Sequence, residues 1–369
     1  LDQCTDLADP LAKADSTVNK RFQRGLVVGK FSPLHRGHEL VIRRALDESA
    51  EVIVLSYSKP EWPGCEAGRR DRWFSKLFPQ VRHIAITDER LQSWIEPSGA
   101  ILEVPANNAS ENLHRRFCAF LCRDVLGLTV DAVFTSEDYG EGFAAELTRC
   151  FRERQSSCPS VSHIMVDSER RIVPISGTLL RQGIHGLREW LAPEVYASFV
   201  RRVCLLGGEC TGKSTLAEIL ARKFGTVHVA EYGRELWEKK SGALTIEDLR
   251  QIAEVQVERE EAALLRAYRY LFCDTSPLTT LFYSLHLFGG ADLTVQQSAH
   301  RSYDVTLLCA PDFPFVQDGT RQPEDFRLRQ HEWYLAELNG RGVPFSLVQG
   351  SLENRLAQIE KRLDQDRLD

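Results

Sequence analysis

Arg202-Val203-Cys204-Leu205-Leu206 runs straight into Gly207-Gly208-Glu209-Cys210-Thr211-Gly212-Lys213-Ser214-Thr215, and Leu216-Ala217-Glu218-Ile219-Leu220-Ala221 follows. The order is a short apolar strand, a loop spelling G-x-x-x-x-G-K-[ST], and a helical pattern, the setting this motif requires. Glycines at 207, 208 and 212 let the backbone of Glu209, Cys210 and Thr211 turn its N–H groups toward phosphate oxygens, and the following helix adds its positive end. Lys213 would reach the β- and γ-phosphates of ATP, and the Ser214 hydroxyl, beside Thr215, would help hold Mg²⁺. This half is therefore expected to be a parallel-sheet nucleotide-binding domain.

The chain has 369 residues, enough for two domains that each bury a core. Its net charge of −6 is spread over interspersed acidic and basic residues. No Lys/Arg-rich run stands out to neutralise a phosphate backbone, so nucleic acid is not an expected partner. No apolar run reaches transmembrane length, and residues 1–24 read as a polar arm carrying Asp2, Asp6, Asp9 and Asp15, without a secretory pattern. Ten cysteines occur without any C-x-x-C; Cys118 and Cys122 stand one helical turn apart among Phe117, Phe120 and Leu121. They read as small buried hydrophobes in a reduced, cytoplasmic protein rather than as metal ligands or disulfides.

In the first half, Gly25-Leu26-Val27-Val28-Gly29 is a strand ending in Lys30-Phe31-Ser32-Pro33-Leu34-His35-Arg36-Gly37-His38, and a helical pattern begins at once. Two histidines three apart at a helix start can donate to phosphate oxygens. Further strands are read at Glu51–Tyr57, Val81–Ile86 and Asp131–Ser136, with helices opening at Arg69 and spanning Leu113–Val125. This alternation predicts a parallel sheet with helices on both faces and ligands beyond the strand C-terminal ends.

The string from Gly29 to His38 resembles the (H/T)-x-G-H signature of the nucleotidyltransferase superfamily, and Ile175-Ser176-Gly177-Thr178-Leu179-Leu180-Arg181 is similar to its second signature, I-S-x-T-x-x-R. With Arg70-Asp71-Arg72-Trp73 and Thr135-Ser136-Glu137-Asp138-Tyr139-Gly140, the pattern resembles the adenylyltransferase domain of the NadR-type bifunctional nicotinamide mononucleotide adenylyltransferase/ribosylnicotinamide kinase family. The resemblance implies a Rossmann-like domain of the HIGH type over residues 25–200 that joins nicotinamide mononucleotide (NMN) to ATP, giving NAD and pyrophosphate. It further implies catalytic roles for Lys30, His35, His38 and Arg181. Gly29, Phe31, Pro33, Gly37, Ser176 and Thr178 would hold ATP, and Arg70, Glu137, Asp138 and Tyr139 the mononucleotide.

From 201 to 369 the likeness continues to the kinase domain of the same family. Val227–Ala230 is a strand leading into Glu231-Tyr232-Gly233-Arg234-Glu235, Leu244–Tyr268 a long charged helix, and Tyr270–Asp274 an apolar strand ending in a carboxylate. An acid at that place can hold Mg²⁺ or orient an acceptor hydroxyl; the alternative is that Asp274 only caps the next helix, near Pro277. Gln317-Asp318-Gly319-Thr320-Arg321 is similar to an arginine-bearing lid, making Arg321 a catalytic candidate. Glu231, Tyr232 and Arg234 are candidate substrate contacts. One departure concerns Ser276, which stands where the family pattern has a second acid.

The reading is a two-domain α/β enzyme of NAD salvage, phosphorylating nicotinamide riboside in the C-terminal half and adenylylating the product in the N-terminal half. ATP, NMN, nicotinamide riboside and NAD are the expected small-molecule partners. Self-association into a homo-oligomer is left open, no membrane partner is expected, and the short arm leaves no room for a DNA-binding repressor domain. The alternative keeps the adenylyltransferase and makes the P-loop half act on another nucleoside or serve as a nucleotide sensor.

Overall fold

The computed structural model describes residues 20–95, 102–312, 314 and 324–365, and the expected polar arm lies outside them. The chain divides into two units, one of Leu1–Gly183 with Glu189–Ala192 and one of Ile184–Arg188 with Pro193–Asp369. The division falls ahead of the expected boundary at residue 200. The reason is local packing within the second unit, where His185 Nδ1 bonds Tyr196 Oη at 2.8 Å and Arg188 lies over the Tyr268 ring, 4.5 Å from its centroid.

The N-terminal unit is a five-stranded sheet in the order β3-β2-β1-β4-β5. Its strands are β1 (Phe22–Gly29), β2 (Ser49–Ser56), β3 (Arg82–Ala85), β4 (Ala132–Thr135) and β5 (Ser162–Met165), and every pairing is parallel. The helices are α1 (Arg36–Glu48), α2 (Ala67–Leu77), α3 (Asp88–Ile95), α4 (Glu111–Phe120), α5 (Gly140–Arg154) and α6 (Gly177–Gln182). The helix expected at Leu113–Val125 is α4 continued by a π-helical turn over Leu121–Val125. Strand β5 has no apolar run in the sequence; it is a short edge strand whose Met165 is exposed.

The C-terminal unit is a second all-parallel sheet, order β10-β9-β6-β8-β7. Its strands are β6 (Arg201–Leu206), β7 (His228–Val229), β8 (Tyr270–Asp274), β9 (Val305–Cys309) and β10 (Ser346–Val348). Helices α7 (Pro193–Tyr196), α8 (Lys213–Phe224), α9 (Tyr232–Lys239), α10 (Ile246–Leu264), α11 (Pro277–Phe288), α12 (Leu293–Ser298), α13 (Glu324–Gly340) and α14 (Leu352–Gln365) complete it. Central β6 alternates between two cores: Val203 and Leu205 pack with Leu216, Leu220 and Ile359, while Cys204 and Leu206 pack with Leu278, Leu281 and Tyr334. Each fully buried leucine contributes about 1.5–3 kcal/mol, so a strand buried on both faces has to be continuously apolar, as this one is.

The cysteines follow the expectation: Cys65, Cys118, Cys122, Cys150, Cys204, Cys273 and Cys309 are all buried thiols. Burial pushes Cys118 up to about 12. Among the described residues no group of three or more His, Cys, Asp or Glu forms a metal cluster, and no helix is long and apolar enough to cross a membrane.

Candidate active sites

In the N-terminal unit β1 stops at Gly29 and the chain turns through Lys30–Leu34 before α1 begins. His35 is the N-cap of α1: its Nδ1 accepts from Gly37 N–H at 3.1 Å, and His38 Nδ1 accepts from His35 N–H at 3.4 Å. With both Nδ1 atoms engaged as acceptors, the proton of each neutral ring sits on Nε2; the His38 ring spends its donor on the Pro33 backbone, and that of His35 faces the site. The two rings stack with centroids 3.7 Å apart. His35, only 5% exposed, is brought down to about 4 by burial and then by Arg170 and Arg181. Burial, then His35 and Arg170, lower His38 well below the usual imidazole value. Both are neutral donors at pH 7.

The second signature meets the first across 149 residues: Arg181 Nη1 donates to Ser32 O at 2.8 Å, and Nη2 donates to Thr178 Oγ1 at 3.0 Å. Ser176 caps α6 by accepting from Leu179 N–H at 3.2 Å. A Cβ on Gly177 would stand 3.0 Å from Arg181 Nη1 and 4.0 Å from His35 Nε2, so the missing side chain keeps space between imidazole and guanidinium open. Lys30 Nζ donates to Asn107 O at 3.2 Å, and burial followed by the field of Arg181 lowers its pKa. Lys30, Arg170 and Arg181 thus gather beside two imidazole donors, an arrangement that attracts phosphate.

Several expected contacts have other duties. Arg70, 0% exposed, donates to Ser56 Oγ, Cys65 O and Glu61 Oε1 at 3.2, 2.6 and 2.7 Å, so its fork is committed inside the fold rather than to a substrate. Phe31 is buried against His38 and Phe74, so its ring backs the histidine. Pro33 is buried with it, while Gly37 has His35 ring atoms 3.1 Å from where its Cβ would stand, and Gly29 has the Phe31 ring at 3.2 Å. Tyr139 turns its ring onto the core. Glu137 and Asp138 are exposed at the end of β4, and Glu137 lies 3.6 Å from Arg170.

The sequence reading missed Arg170 and Trp62. Arg170 is presented by a loop in which the Asp167 carboxylate accepts from the N–H groups of Arg171, Ile172 and Val173. Trp62 lies exposed beneath Arg181, 4.8 Å from guanidinium carbon to ring centroid. Neither belongs to a recurring string, and only the fold brings them to the site.

In the C-terminal unit the loop after β6 is held by steric limits. Gly207 has φ 146°, and a Cβ there would meet Cys309 O at 2.7 Å; one on Gly208 would meet Arg327 O at 2.7 Å. Thr211 Oγ1 donates to Gly208 O at 2.8 Å, and fully buried Arg355 donates from below to Thr211 O and Ala310 O at 3.1 and 2.9 Å. Lys213 Nζ folds over the loop onto Gly207 O and Gly208 O at 3.0 and 2.9 Å. Glu209 N–H donates to Gln330 Oε1 at 3.2 Å, and Tyr283 Oη donates to Glu209 Oε1 at 2.8 Å.

A cavity of about 550 Å³ opens from this loop. Gly207, Glu209, Cys210, Thr211, Gly212, Lys213, Ser214, Thr215, Glu231 and Arg234 line it, and Trp237, Leu244, Leu249, Ile252, Tyr283 and Phe326 supply apolar walls. Asp274 lies at the tip of β8 opposite Leu205, 3% exposed, and its Oδ1 has no partner among the described residues. It does not cap the following helix: Ser276 does, accepting from Leu278 N–H at 3.3 Å. A second carboxylate near Asp274 is that of Glu231, whose pKa is raised by burial and then by Asp274. Tyr232, expected as a substrate contact, does not line the cavity: its ring lies under Arg259 and packs behind the lining residues Leu249 and Ile252. Arg321 lies outside the described residues.

The class these units define is a two-part α/β chain, a Rossmann-like parallel sheet followed by a P-loop parallel sheet. A family described as an AAA domain matches residues 202–355. The chain is 28% identical over 313 residues to the trifunctional NAD biosynthesis/regulator protein NadR of Salmonella typhimurium strain LT2, covering 80% of this chain and 71% of that one. The Escherichia coli strain K12 protein of the same name is 27% identical over 318 residues, with the same coverage. A crystal structure of a NadR protein in complex with NAD and AMP-PNP superposes with TM-score 0.62 at 18% identity, over 92% of this chain and 95% of that one. One in complex with NR gives 0.60 at 18% identity, over 91% and 94%. The resemblance to NadR-type proteins and the fold class are both borne out.

Two outcomes test this geometry. Above pH 6.5 the stability contributed by neutral His35 is complete, and it is lost as pH falls toward its folded value of about 4, because only the unfolded chain takes up the proton. The N-terminal thermal transition should be level from about pH 8 to 7 and fall by about pH 5, with a shallower fall in His35→Asn. Arg70→Met should lower N-terminal stability by about 3 kcal/mol in urea unfolding, since it strands Glu61 and two further acceptors. A variant of full stability that has lost only ligand binding would restore the substrate role.

Proposed function

We propose that the chain makes NAD in two ATP-dependent steps, with nicotinamide riboside phosphorylated by the C-terminal unit and the resulting NMN adenylylated by the N-terminal unit. The observation that carries this reading is the meeting of both signature segments at one cluster of cations and imidazoles, in a chain whose second unit holds a complete P-loop beside an acceptor-sized cavity. The relatives named as NAD biosynthesis proteins, and the NadR structures described with NAD, AMP-PNP and NR, support the choice of substrates.

In the kinase step Lys213 leaves its carbonyl contacts for the β- and γ-phosphates, and loop N–H groups hold the remaining oxygens. The Asp274 carboxylate accepts from the riboside 5′-hydroxyl, orienting it for in-line attack and drawing off its proton as the new P–O bond forms. Arg321 would serve as the lid cation and Arg234 as a further cationic contact. Ser214 and the unpartnered Asp274 oxygen fit Mg²⁺, which typically takes one or two protein oxygens together with phosphate and water. When bound, the ion neutralises phosphate charge.

In the adenylyl step the NMN phosphate attacks the α-phosphorus of ATP and pyrophosphate leaves. His35 donates from Nε2 to the triphosphate, and His38 joins it by exchanging its bond to the Pro33 backbone for one to phosphate, while Lys30, Arg170 and Arg181 stabilise charge on the departing pyrophosphate. No covalent enzyme intermediate is involved. Glu137 and Asp138 stand at the sheet edge as candidate contacts for the mononucleotide, and the small-molecule chemistry fits a cytoplasmic enzyme.

The test is incubation of the full chain with ATP, Mg²⁺ and either nicotinamide riboside or NMN, with products separated by chromatography. NAD should form from both, with ADP and pyrophosphate released from the riboside reaction. Lys213→Ala should slow the riboside reaction about 100-fold and leave conversion of NMN to NAD running; His38→Ala should do the converse, so that NMN accumulates. NAD from neither substrate would sink the proposal.

A further inference from the structure

Gln256 is a polar side chain that neither step above uses. It sits on α10 at 2% exposure and lines the C-terminal cavity. Its Oε1 accepts from Tyr232 N–H at 3.0 Å, which fixes the orientation of the amide and leaves Nε2 as the free end. Nε2 is buried and has no hydrogen-bond partner among the described residues. A buried donor without a partner is destabilising, and such a group on a cavity wall is satisfied when a ligand oxygen arrives.

Position along the helix indicates which oxygen. Leu249, Ile252 and Gln256 line the cavity from one face of α10, the first and last seven steps or about 10 Å of helix axis apart. The Leu249 end adjoins the apolar recess of Leu244 and Trp237, suited to a flat base. At the other end the Gln256 amide is bonded to the peptide following Glu231, whose carboxylate lies in the fields of Asp274 and Lys213. That is the phosphoryl-transfer side, where the sugar of an acceptor must lie if its 5′-hydroxyl is to reach Asp274.

Resting on the kinase reading above, we infer that Gln256 Nε2 donates to a ribose 2′- or 3′-hydroxyl oxygen of the acceptor, making Gln256 the residue by which this half selects ribonucleosides over deoxyribonucleosides. The hydroxyl is left with its own proton to give, and Glu231 is the neighbouring acceptor. A deoxy acceptor leaves Nε2 buried and unsatisfied, which is how a site built around a hydroxyl rejects the analogue lacking it.

The experiment measures ADP release by the full chain with nicotinamide riboside and with its 2′-deoxy and 3′-deoxy forms, since adenylyl transfer releases pyrophosphate and is silent in this assay. The native chain should favour the riboside by about tenfold or more in kcat/KM over one of the two analogues, and that analogue identifies the hydroxyl. In Gln256→Glu, which keeps the acceptor for Tyr232 N–H and removes the donor, KM for the riboside should rise while KM for ATP holds, and the preference should shrink toward one. Gln256→Met, uncharged and of similar length, should do the same, with thermal unfolding used to confirm that each variant is folded. Equal use of all three acceptors by the native chain, or an undiminished preference in a folded variant, overturns the inference. If the native chain releases no ADP with nicotinamide riboside, the choice of base has failed rather than the sugar contact. Ribo- and 2′-deoxy pairs of adenosine, guanosine, cytidine and uridine then decide it by the same two criteria.

Discussion

No side chain fits at Gly207 or Gly208, and the C-terminal half depends on that exclusion. The loop is pressed between the last carbonyl of β9 and the Arg327 backbone of α13, with the buried Arg355 fork holding its Thr211 carbonyl from beneath. A loop so confined does not need to be organised by nucleotide, because its backbone course is already fixed before anything binds. Preorganisation of this kind spares the ordering cost at the moment of binding. The same compression draws other elements to the cavity: Gln330 from α13 bonds Glu209 N–H, and Tyr283 from α11 bonds its carboxylate.

The N-terminal half uses the same architectural opportunity, the carboxyl edge of a parallel sheet, with different chemistry. Its strand also stops in front of a helix, but the phosphate-facing groups are imidazoles and cations rather than a curled main chain. Burial keeps His35 and His38 neutral, so they offer directional donors, while Lys30, Arg170 and Arg181 supply charge. Separating direction from charge suits a reaction in which the leaving pyrophosphate gains charge after the nucleotide is already in place.

Much of the fold was legible because buried parallel strands must be apolar for their whole length: β6, β8 and β9 announce themselves as runs of Val, Leu, Phe and Cys. Strand β5 does not, because a short edge strand needs little apolar surface, and Ser162-His163-Ile164-Met165 has only two such residues. The sites were legible where backbone geometry demands particular letters, as at Gly207, Gly212 and the two histidines. Motif letters did not separate residues that face the ligand from those that hold the loop, so Arg70, Phe31 and Tyr232 read as contacts and turned out to be supports. Arg170, Trp62 and Gln256 were invisible for the opposite reason, since each acquires its place only through contacts far along the chain.

The two hydrogen bonds that close the first turn of α1 are also the bonds that set the tautomers of His35 and His38. Folding and chemistry therefore draw on the same atoms, and an evolving sequence cannot improve one without passing through the other. A better capping residue, serine or aspartate, would hold the helix start and discard the donor. It is therefore the chemistry, and not the helix, that asks for histidine at these two positions.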